Sequence, residues 1–100
     1  MYLRRLCLAT AWSGNLDYMT PENSLLVNYA LVPVGPGEYP HWEDQFWAEP
    51  DLDHACSLVL KAIDDPAFAE MVASRGRRDV IRTTSHRAVG LRMLDALARI

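Results

Sequence analysis

The spacing of apolar residues changes at Pro50, and this change constrains the fold more than any other feature of the chain. Before Pro50, apolar residues occur in short runs such as Leu6–Ala9 and Leu25–Val27, which end at turn-forming residues. Such runs are typical of buried strands. After Pro50, apolar residues recur at intervals of three and four, as in amphipathic helices. The sequence therefore predicts a mixed α/β fold.

The chain is expected to form a single partial domain in three parts. Residues 1–29 follow the order strand, turn, short helix, strand, with the second strand over Ser24–Tyr29. Residues 30–50 hold four of the six prolines and several large aromatic side chains, which predicts a long packed loop. Residues 51–100 are expected to be helical. With only 100 residues, the chain has room for one modest core.

Capping residues mark three helices in residues 51–100. The first is expected to begin at Asp51 or Asp53, the second at Asp65–Pro66 and the third at Ser85. Gly76 is expected to weaken the second helix by about 1 kcal/mol relative to alanine. The first helix carries an apolar stripe expected to face the core, and the third carries apolar residues on one face: Leu52, Ala55, Cys56, Val59 and Ile63, then Val89, Met93, Leu97 and Ile100.

Charge, cysteine content and hydropathy narrow the function classes. The net charge of -3 and the absence of a basic run argue against nucleic-acid binding, which needs a basic face. No apolar stretch reaches the roughly 20 residues of a membrane span. Cys7 and Cys56 suggest neither a zinc site nor a disulfide framework. These features predict a cytoplasmic protein with no metal or cofactor of its own.

The turn Trp12–Asn15 is the most suggestive local site. It follows the first predicted strand, and ligands of open α/β sheets bind beyond the carboxyl ends of strands. Gly14 would permit close approach of a ligand to the backbone. From the local pattern alone, a tight connection between strand and helix is the favoured interpretation.

Four other patterns carry less weight. Gly35–Gly37 lacks the donors of a phosphate loop, because its central residue is proline. The acidic residues around His41 and His54 match no metal loop, and a solvated loop explains them better. Ser13, Asp17 and His41 are the residue types of a hydrolase triad, but the sequence has no hydrolase motif such as Gly-x-Ser-x-Gly around the serine. The tryptophans Trp12, Trp42 and Trp47 suit sugar stacking and loop anchoring equally well.

The order of residues from Ala9 to the end resembles the C-terminal end of group 1 glycosyltransferases, retaining enzymes of the GT-B fold. The matching segments are Ala9–Val27, Leu31–Gly35, Tyr39–Pro40, Trp47–Ala55 and Ser85–Gly90. The resemblance implies a partial Rossmann-like C-terminal domain with two short parallel strands, a long loop and three C-terminal helices. It also implies transfer of a sugar from a nucleotide-sugar donor to a carbohydrate or related acceptor.

The resemblance carries over few functional residues. Ser13, Gly14 and Asn15 match the loop beside the donor pocket, so donor contacts are expected there. The family's pair of glutamates would lie upstream of Met1, and Arg4 and Leu6 stand where glycine and proline are usual. The expectation is a C-terminal fragment without activity alone, which needs the missing N-terminal domain or a separate partner chain. The alternative is a noncatalytic module that docks a partner.

Overall fold

A computed structural model describes residues 1–100, and their fold is mixed α/β. The N-terminal part contains strand β1 (Leu8–Thr10), a 3₁₀ helix (Ser13–Asp17) and strand β2 (Leu25–Val27). Strands β3 (Tyr29–Pro33) and β4 (Phe46–Pro50) follow. The C-terminal part contains helices α1 (Leu52–Asp64), α2 (Pro66–Thr84) and α3 (His86–Ala98).

Strands β1 and β2 form a parallel pair, as predicted. Leu8 lies opposite Leu25 and Thr10 opposite Val27. The pair is short because the chain turns away after Thr10 into the 3₁₀ helix and after Val27 at Asn28. Val27 is 2% exposed and is among the most deeply buried side chains. The parallel pair therefore forms part of the small core.

The prediction of a long loop over residues 30–50 is wrong. Its two ends pair as an antiparallel hairpin, with Tyr29 opposite Pro50 and Pro33 opposite Phe46. Tyr29 consequently begins β3 and does not end β2. Both strands end at a proline, which has no N–H to extend a ladder and is tolerated at strand ends. Only the segment between the two strands is a loop.

The three predicted helices and their caps are confirmed. The Asp51 carboxylate accepts a hydrogen bond from the His54 N–H at 2.9 Å, and that of Asp65 accepts one from the Phe68 N–H at 3.0 Å. The Ser85 hydroxyl accepts one from the Ala88 N–H at 3.2 Å. Each bond satisfies a backbone donor that the first turn of a helix leaves free.

Helix α2 continues through Gly76 because another segment lies close to it there. A Cβ atom at Gly76 would lie 2.9 Å from the backbone oxygen of Asn23. The glycine therefore lets the turn before β2 pack directly on the helix. The buried residues gather around this contact: Met19, Asn23, Ser24, Leu25, Val27, Val72, Ala73 and Gly76, with Val34 buried in the hairpin.

The predicted core-facing stripe on α1 is largely exposed, and so is the apolar face of α3. Leu52 and Ile63 are 70% and 66% exposed, and neither helix has a buried residue. Of the α1 stripe only Ala55 is partly covered, together with His54, Leu58 and Ala62 outside it. The apolar stripes are real, but the chain itself supplies nothing to cover them.

The molecule is a thin slab that measures 45 × 45 × 16 Å. Its radius of gyration is 17.2 Å, whereas a compact chain of this length has one of about 13 Å. The accessible surface is 7518 Å², and a compact protein of this mass exposes about 5,700 Å². None of the helices combines the length and apolar character needed to cross a bilayer.

Candidate functional site

The segment from Trp12 to Asp17 lies at the carboxyl end of the parallel pair. The N–H of Ala11 donates to the oxygen of Val27 at 2.9 Å, which ties the segment that leaves β1 to the end of β2. The 3₁₀ helix then begins at Ser13. Because open α/β sheets bind ligands beyond the carboxyl ends of their strands, this is the position in which a ligand site is expected.

Ser13 has a strained backbone conformation at the start of the 3₁₀ helix. Its φ angle is 69°, in the left-handed region that a residue other than glycine seldom adopts. The residue is exposed, and no side-chain hydrogen bond caps the helix there. The Ser13 hydroxyl is therefore accessible to a ligand, and backbone strain of this kind is common at functional sites.

Gly14 faces open space. No heavy atom of another segment lies within 4 Å of the position that a Cβ atom would take, and φ is not positive. The fold therefore does not require glycine here. The open backbone agrees with the expectation that a ligand can approach closely at this position.

Asn15 has a structural role that the sequence did not reveal. Its Nδ2 atom donates to the oxygen of Thr10 at 3.0 Å, and the same atom lies 3.6 Å from the sulfur of Met19. The backbone N–H of Met19 donates to the backbone oxygen of Asn15 at 2.8 Å. Asn15 therefore joins the end of β1 to the 3₁₀ helix, and its half-buried amide already has a partner.

Three further residues meet at this end of the sheet. The rings of Trp12 and Tyr29 pack edge to face, with centroids 5.2 Å apart. The N–H of Asn28 donates to Nδ1 of His54 at 2.9 Å, so this ring nitrogen is an acceptor. Tyr29 and His54 could not be predicted as neighbours of this site, because their partners are distant along the chain. The sequence gives no signal for Asn28 either, since the predicted strand Ser24–Tyr29 includes it.

The site has no cation in its own part of the chain. No Lys or Arg occurs between Arg5 and Lys61, and the 3₁₀ helix itself ends at Asp17. A diphosphate carries negative charge that Arg, Lys, a metal ion or helix N-termini usually offset. The residues at the carboxyl end of the sheet therefore suit the neutral parts of a ligand better than its phosphates.

The largest cavity adjoins this end of the sheet but not the three predicted contact residues. It has a volume of about 500 Å³ and lies between β2 and helices α1 and α2. Ala11, Asn28 and Lys61 are in its wall, and Ser13, Gly14 and Asn15 are not. The Nζ atom of Lys61 lies 4.2 Å from the centroid of the Phe68 ring, a cation–π contact.

An arginine-lined cavity of about 320 Å³ lies elsewhere, where the N-terminal segment meets α2. Arg4 forms an ion pair with Glu70. The Arg77 guanidinium donates to the carbonyl oxygen of Tyr2 at 2.7 Å and stacks on its ring. These arginines hold the N-terminal segment against α2, so their guanidinium groups already have partners within the protein.

The other predicted constellations are not assembled. No three His, Cys, Asp or Glu side chains lie together as a group that could hold a metal ion. Ser13 and Asp17 belong to the 3₁₀ helix, whereas His41 lines a separate cavity in the hairpin loop. In Gly35–Gly37, the N–H of Gly35 donates to Oε2 of Glu38 at 2.6 Å and is not free for a phosphate.

Comparison of the chain with models of protein families, with curated proteins and with solved structures finds no match. The structure itself defines the class of protein as mixed α/β, with one short parallel strand pair and three C-terminal helices.

Proposed function

We propose that this chain is the C-terminal part of a glycosyltransferase of the GT-B fold, and that Ser13, Gly14 and Asn15 lie beside its nucleotide-sugar donor. The observation that carries the proposal is the position of these residues at the carboxyl end of the parallel pair β1–β2. Gly14 is open to solvent there, and the Ser13 hydroxyl is accessible. The choice of family rests on the sequence resemblance from Ala9 onward.

The shape of the molecule supports the proposal that this is one part of a larger assembly. Only nine of 100 residues are buried, and the apolar stripes of α1 and α3 are largely uncovered. A domain that is completed by further strands or by a second lobe would cover such faces. In this proposal the missing N-terminal domain or a separate partner chain does so.

The proposal also implies that the 100-residue chain does not catalyse transfer by itself. Glycosyl transfer needs groups that stabilise the charge of the departing diphosphate in a closed cleft. The carboxyl end of the sheet has no Lys or Arg nearby in sequence, and the chain holds no segment like the family's glutamate pair. The missing lobe would supply these groups and the acceptor site.

The donor site can be tested by ligand-observed NMR with nucleotide diphosphates and nucleotide sugars. We expect weak, saturable binding by the unmodified chain. Gly14→Ala should weaken it at least tenfold, because the added methyl group projects into the space that the ligand would occupy and meets no protein atom. Ser13→Ala should weaken it further by removal of the hydroxyl.

Gly90→Ala is the matched control for Gly14→Ala. It makes the same change at another glycine whose Cβ position is open, in helix α3 far along the chain. Binding should be unaltered in this variant. If no nucleotide binds to a chain shown to be folded by circular dichroism, or if Gly14→Ala binds as well as Gly90→Ala, the donor site is not at these residues.

The uncovered helix faces favour a second candidate, a noncatalytic module that docks a partner chain. Val89, Met93 and Leu97 lie on one side of α3 and are all exposed. A row of exposed apolar side chains on one face of a helix is characteristic of an interaction surface. The two candidates differ in one measurable property: the interaction module binds its partner without binding nucleotides.

A further inference from the structure

The loop between β3 and β4 and the start of β4 line an open cavity that the proposed donor site does not use. Its volume is about 370 Å³, within the range of about 300–1,000 Å³ that is usual for small-molecule sites. Its wall consists of Val34, Tyr39, Pro40, His41, Gln45, Phe46 and Trp47. Three of these seven residues are aromatic, and none carries a carboxylate, an ammonium or a guanidinium group.

The aromatic rings of the cavity are accessible to a ligand. Tyr39 is 64% exposed, Phe46 58% and Trp47 37%. Large aromatic side chains that serve only as anchors are covered more fully, because burial of the ring is the source of their stabilising effect. Of the tryptophans considered in the sequence, only Trp47 lines this cavity; Trp12 packs against Tyr29 instead.

The loop backbone is fixed in an unusual shape around the cavity. Gly35 to Glu38 form a turn closed by a hydrogen bond from the Glu38 N–H to the Gly35 oxygen at 3.1 Å, with Gly37 at a φ angle of 77°. Two residues other than glycine, His41 and Asp44, also have positive φ angles of 56° and 58°. Backbone strain of this kind concentrates at ligand-binding sites.

The charges around the cavity disfavour an anionic ligand. Glu38, Glu43 and Asp44 lie in the same loop, and no Lys or Arg occurs between Arg5 and Lys61. An anionic ligand such as a nucleotide would be repelled. A cation would find aromatic faces to pack on but no carboxylate in the wall to pair with, so choline is the probe that distinguishes this ligand class from a neutral one. The polar side-chain groups of the wall are the imidazole of His41, the amide of Gln45, the hydroxyl of Tyr39 and the indole N–H of Trp47, all of which can bond to hydroxyl groups.

We propose that the β3–β4 loop forms a binding site for a neutral saccharide. The apolar C–H face of a pyranose ring packs on the exposed rings of Tyr39 and Phe46. The hydroxyl groups at the rim of the sugar bond to His41 and Gln45. This site is separate from Ser13–Asn15 and contains no phosphate-binding group. Its binding test therefore gives a result that is independent of the test of the proposed donor site.

The test is saturation-transfer NMR of the full chain with methyl β-glucopyranoside, methyl β-galactopyranoside, cellobiose and diacetylchitobiose. At least one of these sugars should receive saturation, most strongly at the protons of its apolar face. Tyr39→Leu, which keeps an apolar side chain but removes the aromatic face, should weaken binding at least tenfold. Tyr39→Phe, which keeps the ring, should bind within about twofold of the unmodified chain.

Tyr2→Leu is the matched control, since Tyr2 is 60% exposed and lies outside the cavity. Sugar binding should persist in this variant. The proposal is overturned if no sugar of the panel binds, if Tyr39→Leu binds as well as Tyr2→Leu, or if choline competes for the site. Because Tyr39 is exposed, circular dichroism of the Tyr39 variants should match that of the unmodified chain.

Discussion

Gly76 of α2 touches the backbone oxygen of Asn23: a Cβ atom on Gly76 would lie only 2.9 Å from that oxygen. This contact joins the turn before β2 to the longest helix. It also lets the Asn23 side chain donate from Nδ2 to Oδ2 of Asp79 at 3.1 Å. A glycine and two polar side chains therefore join the turn before β2 to α2, in addition to the arginine contacts that hold the N-terminal segment there.

Gly76→Ala should destabilise the chain although alanine is the better helix former. The close contact should cost about 1–3 kcal/mol, and the gain in helix propensity offsets about 1 kcal/mol. Urea unfolding should show a net loss. Gly90→Ala is the control, because its Cβ meets nothing within 4 Å, and it should stabilise by up to about 1 kcal/mol. A stabilising Gly76→Ala would contradict the close approach.

The pKa of Asp79 should produce an acid-sensitive contribution to stability. The hydrogen bond from Asn23, with smaller help from Arg78 and Arg82, holds the pKa of this carboxyl below its usual value of 3.8, and desolvation opposes the shift. Since the pKa is lower in the folded state, the carboxylate stabilises the fold above pH 3.8. That contribution disappears as the pH falls through the lower folded value.

Asp79→Asn tests this pH dependence. The free energy of unfolding should be lower in Asp79→Asn than in the unmodified chain at neutral pH, and the difference should shrink as the pH falls below about 3.8. Urea titrations at several pH values measure the difference, and a carbon NMR titration of Asp79 measures its pKa directly. A difference that stays constant down to the lowest pH would show that the carboxylate is not stabilised in the fold.

The helices were predictable from sequence because their determinants are local. Asp51, Asp65 and Ser85 each bond to a backbone N–H three residues later, so cap and helix are adjacent in the chain. The apolar periodicity also predicts α1 and α3 as helices, in agreement with the structure. It does not indicate which part of each apolar face is covered, since that depends on elements outside the helix.

The hairpin was missed because its pairing is distant and its strands end at prolines. Tyr29 pairs with Pro50, and no local pattern reveals such a partner. In the sequence Pro33 and Pro50 indicate a loop, whereas in the structure they are the last residues of β3 and β4. At the candidate site, sequence placed Ser13–Asn15 after a strand correctly, but it gave no sign that the Asn15 amide bonds to Thr10.

Asn15→Ala should destabilise the fold, whereas Ser13→Ala should not. Removal of the Asn15 amide takes away one of the two donors of the Thr10 carbonyl, which also accepts from the Trp12 N–H at 2.7 Å, and should cost about 0.5–1.5 kcal/mol. The exposed Ser13 hydroxyl does not cap the 3₁₀ helix, so its loss should change stability by less than about 0.5 kcal/mol. Thermal unfolding compares the two. A loss in Ser13→Ala as large as that in Asn15→Ala would show that Ser13 also stabilises the fold, and an unchanged stability of Asn15→Ala would show that the fold does not need the Asn15 amide.

The thin shape of the molecule should appear in its denaturant sensitivity. An unfolded chain of 11.3 kDa exposes about 16,400 Å², and the folded chain exposes 7518 Å². Unfolding therefore uncovers about 8,900 Å², compared with about 10,700 Å² for a compact protein of this mass.

Because the urea m-value is proportional to the surface uncovered, it should be about one-sixth smaller for this chain than for compact proteins of the same length. A dilution series shows whether the chain remains monomeric during the measurement. An m-value at or above that of compact proteins in a monomeric sample would mean that the free chain closes its apolar faces on itself. An m-value that rises with protein concentration would mean that another copy covers them. A small, concentration-independent value is expected if the free chain leaves the faces on α1 and α3 uncovered.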